Sequence, residues 1–116
     1  MKAREELDKA TVYRFSDVLD FATGSSEVQS ILRKTTGELN AVTLDTSQFL
    51  SARMLPFDIY IHVIEGKVET IINGGSLLVN AGEFLIIPAH TQHSSQALQP
   101  TRLLQLTIKS GYEEVV

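Results

Sequence analysis

The sequence predicts an all-β barrel or sandwich, and two observations carry that class. Beyond residue 27 the chain breaks into short runs of β-branched and aliphatic residues, evenly spaced and separated by Gly, Asn, Pro and Thr. Two of these runs, 68–72 and 76–79, flank Asn73-Gly74, a dipeptide that supplies the positive φ angles a tight hairpin requires. No heptad, solenoid repeat or low-complexity segment competes with this pattern.

Taken in order, residues 2–10 are rich in Glu, Lys, Ala and Arg, which favours a short helix or a solvated arm. Ser16 precedes Asp17-Val18-Leu19-Asp20-Phe21, an N-capped single helical turn that Thr23-Gly24-Ser25-Ser26 ends. Strands are expected over 28–34, 39–44, 49–54, 58–65, 68–72, 76–79, 84–87 and 102–108. Turns fall at Thr36-Gly37, Glu65-Gly66, Asn73-Gly74-Gly75, Ala81-Gly82 and Gln99-Pro100. Gly66 and Gly82 stand where a positive φ is expected, and Pro88 ends a strand by removing a donor from the ladder. The chain therefore divides into an arm or short helix over 1–10, a barrel over 11–109 and a tail over 110–116.

At 116 residues and 43% apolar content the chain has one core. It has no cysteine, hence no disulfide framework and no thiolate nucleophile. A formal charge of −4, with Lys and Arg scattered among acids, offers no stripe for phosphates, so no nucleic-acid partner is expected. The charged N-terminus and the lack of a long apolar run predict no membrane partner and a soluble, cytoplasmic protein. Small molecules and other protein chains are the expected partners.

The spacing Gly82-x5-Pro88-x-His90-x2-His93-x3-Ala97 follows a strand and turn, Val63-Ile64-Glu65-Gly66. Together these resemble the two motifs of the single-domain cupins over residues 38–109. The family's second motif has Gly where this chain has His90 and Asn where it has Ala97. In the first motif, counted back from Gly66, Arg53 and Leu55 stand at the two histidine positions and Ile59 at the carboxylate position. The resemblance implies a cupin-type jelly-roll β-barrel, or double-stranded β-helix, with a short N-terminal helix or arm. It also implies that His93 lies on the strand after Pro88 and faces the barrel interior, and that the protein is a dimer.

Metal sites of this kind need several neutral imidazoles and a carboxylate or amide converging on one cation. With Arg53, Leu55 and Ile59 at three of the four positions, no cofactor is expected. A divalent metal, if bound at all, would be held by His93 with His90, aided by Gln92. His93 otherwise reads as a hydrogen-bonded core histidine or a pocket-lining one. An inward Arg53 would call for an anionic ligand; an outward one would reach solvent or pair with Asp58. Leu55 and Ile59, with Leu50, Ile61, Val63, Phe84 and Ile86, suggest a dry barrel interior. The candidate pocket is accordingly Arg53, Leu55, Ile59, Ile61, Phe84, His90 and His93. Asp58 and His93 could form an acid–base pair, although Asp58 more simply caps a turn.

Strand alternation puts Tyr60, His62 and Ile64 on the face opposite Ile59, Ile61 and Val63. Apolar residues on both faces of that strand imply that the outer face is covered, most simply by a second copy, with an exchanged N-terminal strand around 12–15. Three functions follow: a metal-free barrel binding a small organic molecule as a sensor or accessory domain; a metal-dependent oxygenase or isomerase with an altered ligand set; and a dimeric structural module with a filled barrel. Whether the chain is an enzyme is left open.

Overall fold

The computed structural model describes residues 6–18, 26–50 and 54–109. After a four-residue helix α1 (Phe15–Val18) come nine strands: β1 (Glu27–Lys34), β2 (Gly37–Leu44), β3 (Phe49–Leu50), β4 (Ile59–Glu65), β5 (Lys67–Ile72), β6 (Gly75–Asn80), β7 (Phe84–Ile87), β8 (His93–Ala97) and β9 (Thr101–Ile108). They form two antiparallel sheets, one ordered β1-β2-β9-β4-β7 and the other β3-β8-β5-β6. The architecture is the expected all-β jelly roll.

Inward positions are set by β4, whose Ile59, Ile61 and Val63 are buried while Tyr60, His62 and Ile64 are half-buried on the outer side. Residues directly opposite one another in an antiparallel pair share a face. Ile87 opposes Ile59 and Leu85 opposes Ile61, so both point inward from β7. From the second sheet Leu50, Val68, Val79 and Ala97 complete one continuous apolar core with Val42, Leu44 and Leu103. Thr70 and Ser95 are buried among them and satisfy each other through a 2.8 Å hydrogen bond between hydroxyls.

The same register overturns one expectation. Phe84 and Ile86 do not line the barrel; they stand on its outer face, 59% and 55% exposed, because they oppose the outward His62 and Tyr60. A run such as Phe84-Leu85-Ile86-Ile87 is apolar at every position, so its own alternation fixes no phase.

Other differences are local. Residues 6–10 are not helical, leaving the arm rather than the helix over the described part of 1–10. The helical turn begins at Phe15, with the Arg14 carbonyl accepting from the Asp17 and Val18 amides, so Ser16 lies inside the turn rather than capping it. Of its expected course through Phe21 and its end at 23–26, residues 19–25 lie outside the described residues. β3 stops at Leu50, 51–53 lie outside the described residues, and Met54 is not in a strand. Residues 12–14 form no strand, and Val12 is 97% exposed. β8 was expected from the resemblance alone, since His93-Ser94-Ser95-Gln96-Ala97 has no aliphatic alternation.

The turns follow the glycine chemistry. Asn73 and Gly74 have φ of 51° and 82°, the pair of positive angles that closes a two-residue hairpin between Ile72 and Gly75. Gly66 (φ 96°) carries a second constraint. A Cβ built there would lie 2.4 Å from the Pro100 carbonyl oxygen and 2.7 Å from the Thr101 Cα, whereas one at Gly74 meets nothing within 4 Å. Gly66→Ala should therefore cost about 3 kcal/mol or more and Gly74→Ala about 1 kcal/mol, compared by urea unfolding. Equal costs at the two sites would contradict the close packing of Gly66.

Candidate functional site

A cavity of about 300 Å³ opens at one end of the barrel, lined by Glu38, Leu55, Phe57, Ile59, His93, Gln105, Thr107 and Lys109. Register explains how these meet. Glu38 opposes Thr107 and Thr107 opposes Ile59, which puts one residue each from β2, β9 and β4 in a single row. Gln105 and Lys109 flank Thr107 on the same face of the chain as β9 leaves the barrel. His93 enters from the other sheet, opposite Ile72, on the side of β8 that also carries Ser95 and Ala97 inward. Leu55 and Phe57 come from the loop before β4.

The cavity lining is thus part apolar and part polar. Leu55, Phe57 and Ile59 are apolar, while Glu38, Gln105, Thr107 and Lys109 supply charge and hydrogen-bonding capacity from β2 and β9. The Lys109 Nζ lies 3.3 Å from the Glu38 Oε2, with side chains 32% and 28% exposed. This diagonal cross-strand pair at the rim contributes about 1 kcal/mol or less to stability.

Two loops frame the opening and are tied to each other. The Ala89 amide donates to Asp58 Oδ1 at 2.8 Å, and the His90 amide donates to the Leu55 carbonyl at 2.7 Å. Asp58 therefore caps the turn after Pro88. His90, at a φ of 59°, occupies the left-handed conformation for which the cupin motif has glycine.

Of the expected pocket residues, Leu55, Ile59 and His93 line this cavity. Ile61 is one row deeper, in the core cluster. Phe84 is on the outer face, and His90 is exposed on its loop outside the cavity lining. Arg53 lies outside the described residues. Gln92 is exposed and borders a shallower depression on the far side of His93, with Ile71, Asn73, Gly74 and Ser94. Among the described residues no group of three or more His, Cys, Asp or Glu side chains is placed to hold a metal ion.

Sequence reasoning missed Glu38, Phe57, Gln105, Thr107 and Lys109. The signal was the alternation of Gln105, Thr107 and Lys109 with Leu104, Leu106 and Ile108. Taken alone it sends the polar set to water, yet pairing with β4 turns that set inward and the leucines outward.

No protein-family profile matches the chain, and no curated protein does. Solved structures do. A conserved protein of unknown function from Streptococcus pyogenes superposes with a TM-score of 0.85 at 17% identity, covering 96% of this chain and 97% of that one. A cupin superfamily protein from Desulfitobacterium hafniense superposes with a TM-score of 0.83 at 11% identity, over 94% and 100% of the two chains. The fold is that of the cupins. A conserved protein with a double-stranded β-helix domain from Klebsiella pneumoniae gives 0.76 at 15% identity, over 94% and 92%. At such identities the likeness extends to the cupin barrel and not to its chemistry.

Asp58→Ala should speed hydrogen exchange at the Ala89 amide and lower stability by about 1 kcal/mol. Unchanged exchange at Ala89 would mean that the Asp58 carboxylate does not hold this loop.

Proposed function

We propose that this cupin barrel binds a small organic molecule at its mouth and acts as a sensor or accessory domain. The observation that carries the reading is the mixed lining of the cavity, in which apolar Leu55, Phe57 and Ile59 adjoin polar groups from β2 and β9, with His93 coming from the other sheet. A few polar anchors set into an apolar wall are what small-molecule sites provide, and about 300 Å³ is the lower end of their usual size. A filled structural barrel would close that space with side chains.

The metal-dependent reading draws less support. His62 is on the outer face, and His93 with His90 amounts to two imidazoles, fewer than a stable divalent site uses; Gln92 shares a depression with His93 but adds no third imidazole or carboxylate. The expectation of an anionic ligand rested on Arg53, which lies outside the described residues; the cation among the described lining residues is Lys109, already beside Glu38.

Screening the full chain against small carboxylates, amines and polyols by thermal shift tests the proposal. A true ligand at a hundredfold excess over its Kd should add about 2.7 kcal/mol and raise Tm by roughly 10 °C. That gain should disappear in His93→Ala and in Gln105→Leu. Shifts that survive unchanged in both variants would place binding elsewhere and sink the proposal.

We also infer a homodimer through the outer face of the five-stranded sheet. One row across it reads Leu32, Leu39, Leu106, Tyr60 and Ile86, and the next carries Leu104, His62 and Phe84. Tyr60 packs on Phe84 at 5.2 Å between ring centroids and meets the His62 Nδ1 through its hydroxyl at 3.0 Å. A contiguous apolar face of this extent is a partner-binding surface rather than scattered exposure. Sedimentation should give a dimer at micromolar concentration and a folded monomer for Ile86→Glu; a wild-type monomer overturns the inference.

A further inference from the structure

Resting on the small-molecule reading, we propose that the ligand is a small zwitterion, a primary ammonium and a carboxylate a few ångströms apart on an apolar substituent, as in an aliphatic α-amino acid. The charges at the cavity rim select for this class. Among the described lining residues there is one cation and one anion, Lys109 and Glu38, with 3.3 Å between Nζ and Oε2.

Each simpler ligand meets a conflict there. A lone carboxylate drawn to Lys109 is brought against the Glu38 carboxylate, and a lone ammonium drawn to Glu38 is brought against the Lys109 ammonium. A neutral apolar molecule covers both charged groups and returns nothing for the water they lose. A zwitterion presents a partner to each. The existing pair is half-exposed and long, so opening it costs little, and each of its two charges then gains a partner on the ligand.

The neighbours fit the same ligand. Gln105 offers both an amide N–H and a carbonyl, and the Thr107 hydroxyl donates or accepts, so this side of the cavity can serve either end of a zwitterion. Beside these groups Leu55, Phe57 and Ile59 supply apolar surface for an aliphatic substituent. Both charged groups lie at the rim because Glu38 is the second residue of β2 and Lys109 directly follows β9. The charged end of the ligand thus sits at the mouth, beside Glu38 and Lys109.

Calorimetric titration and amide NMR with L-leucine, 4-methylpentanoate, 3-methylbutylamine and glucose test this on the full chain. L-leucine should shift the Ile59 and Thr107 resonances and bind at least roughly tenfold more tightly than either singly charged analogue. Glu38→Gln should erase its advantage over 4-methylpentanoate, and Lys109→Met its advantage over 3-methylbutylamine. Both substitutions are at half-exposed rim positions, and an unchanged amide spectrum elsewhere verifies the fold. L-leucine binding no better than an analogue that shifts Ile59 and Thr107 overturns the zwitterion and leaves the binding cavity standing. If none of the four probes shifts those residues, the zwitterion proposal falls, and the wider thermal-shift screen decides the cavity reading separately.

Discussion

The phase of β4 is the constraint on which the barrel depends. Once Ile59, Ile61 and Val63 are buried, antiparallel pairing obliges Ile87 and Leu85 of β7 to face inward, along with Thr107, Gln105 and Leu103 of β9. Leu103 closes the core, whereas Thr107 and Gln105, on the same side of the same strand, become the wall of the cavity. A one-residue slip between β4 and β9 would bury Leu104 and Leu106 and turn the polar set to solvent. Core and site are thus two ends of one register.

The two sheets are fastened where the chain crosses between them. Gly66 leads from β4 into β5, and Pro100-Thr101 leads from β8 into β9. These corners lie against each other so closely that the glycine has no room for a side chain. The Thr101 hydroxyl binds the crossing: it accepts from the Lys67 amide at 3.2 Å and lies 3.3 Å from the Lys67 carbonyl. The Leu98 amide adds a 2.9 Å bond to the same carbonyl. Beside this corner the Arg102–Glu65 ion pair spans β9 and β4 on the outer side. At the cavity end the loops before β4 and after β7 are joined through Asp58 and the Leu55 carbonyl. The opening therefore has a fixed frame rather than loose lips.

Backbone requirements were the most legible part of the sequence. Gly66, Gly82 and Asn73-Gly74 are needed for φ angles that side chains resist, so their positions carry information without any knowledge of packing. Strands with a mixed face were legible too, as in β4. The strand β7 was found but not its facing, because four consecutive apolar residues leave phase to the neighbour. β8 was invisible to hydropathy, since Ser95 and Ala97 are buried by being small rather than by being greasy. The site was half legible. Leu55, Ile59 and His93 occupy positions with a known geometric role, whereas Gln105, Thr107 and Lys109 resemble an ordinary solvated face until the partner strand is known. Phe57, from a loop, had no pattern to announce it.

The polar wall of the cavity has a consequence for how such a protein changes over time. Glu38, Gln105, Thr107 and Lys109 all hang from β2 and β9, whose eight-pair ladder from Gly37↔Ile108 to Leu44↔Thr101 is unbroken by any bulge. Backbone bonds hold that ladder whatever side chains it displays. The chemistry of the cavity lining can change by exchange of these four side chains while the ladder that presents them stays as it is. The barrel is in that sense a fixed socket with a replaceable face.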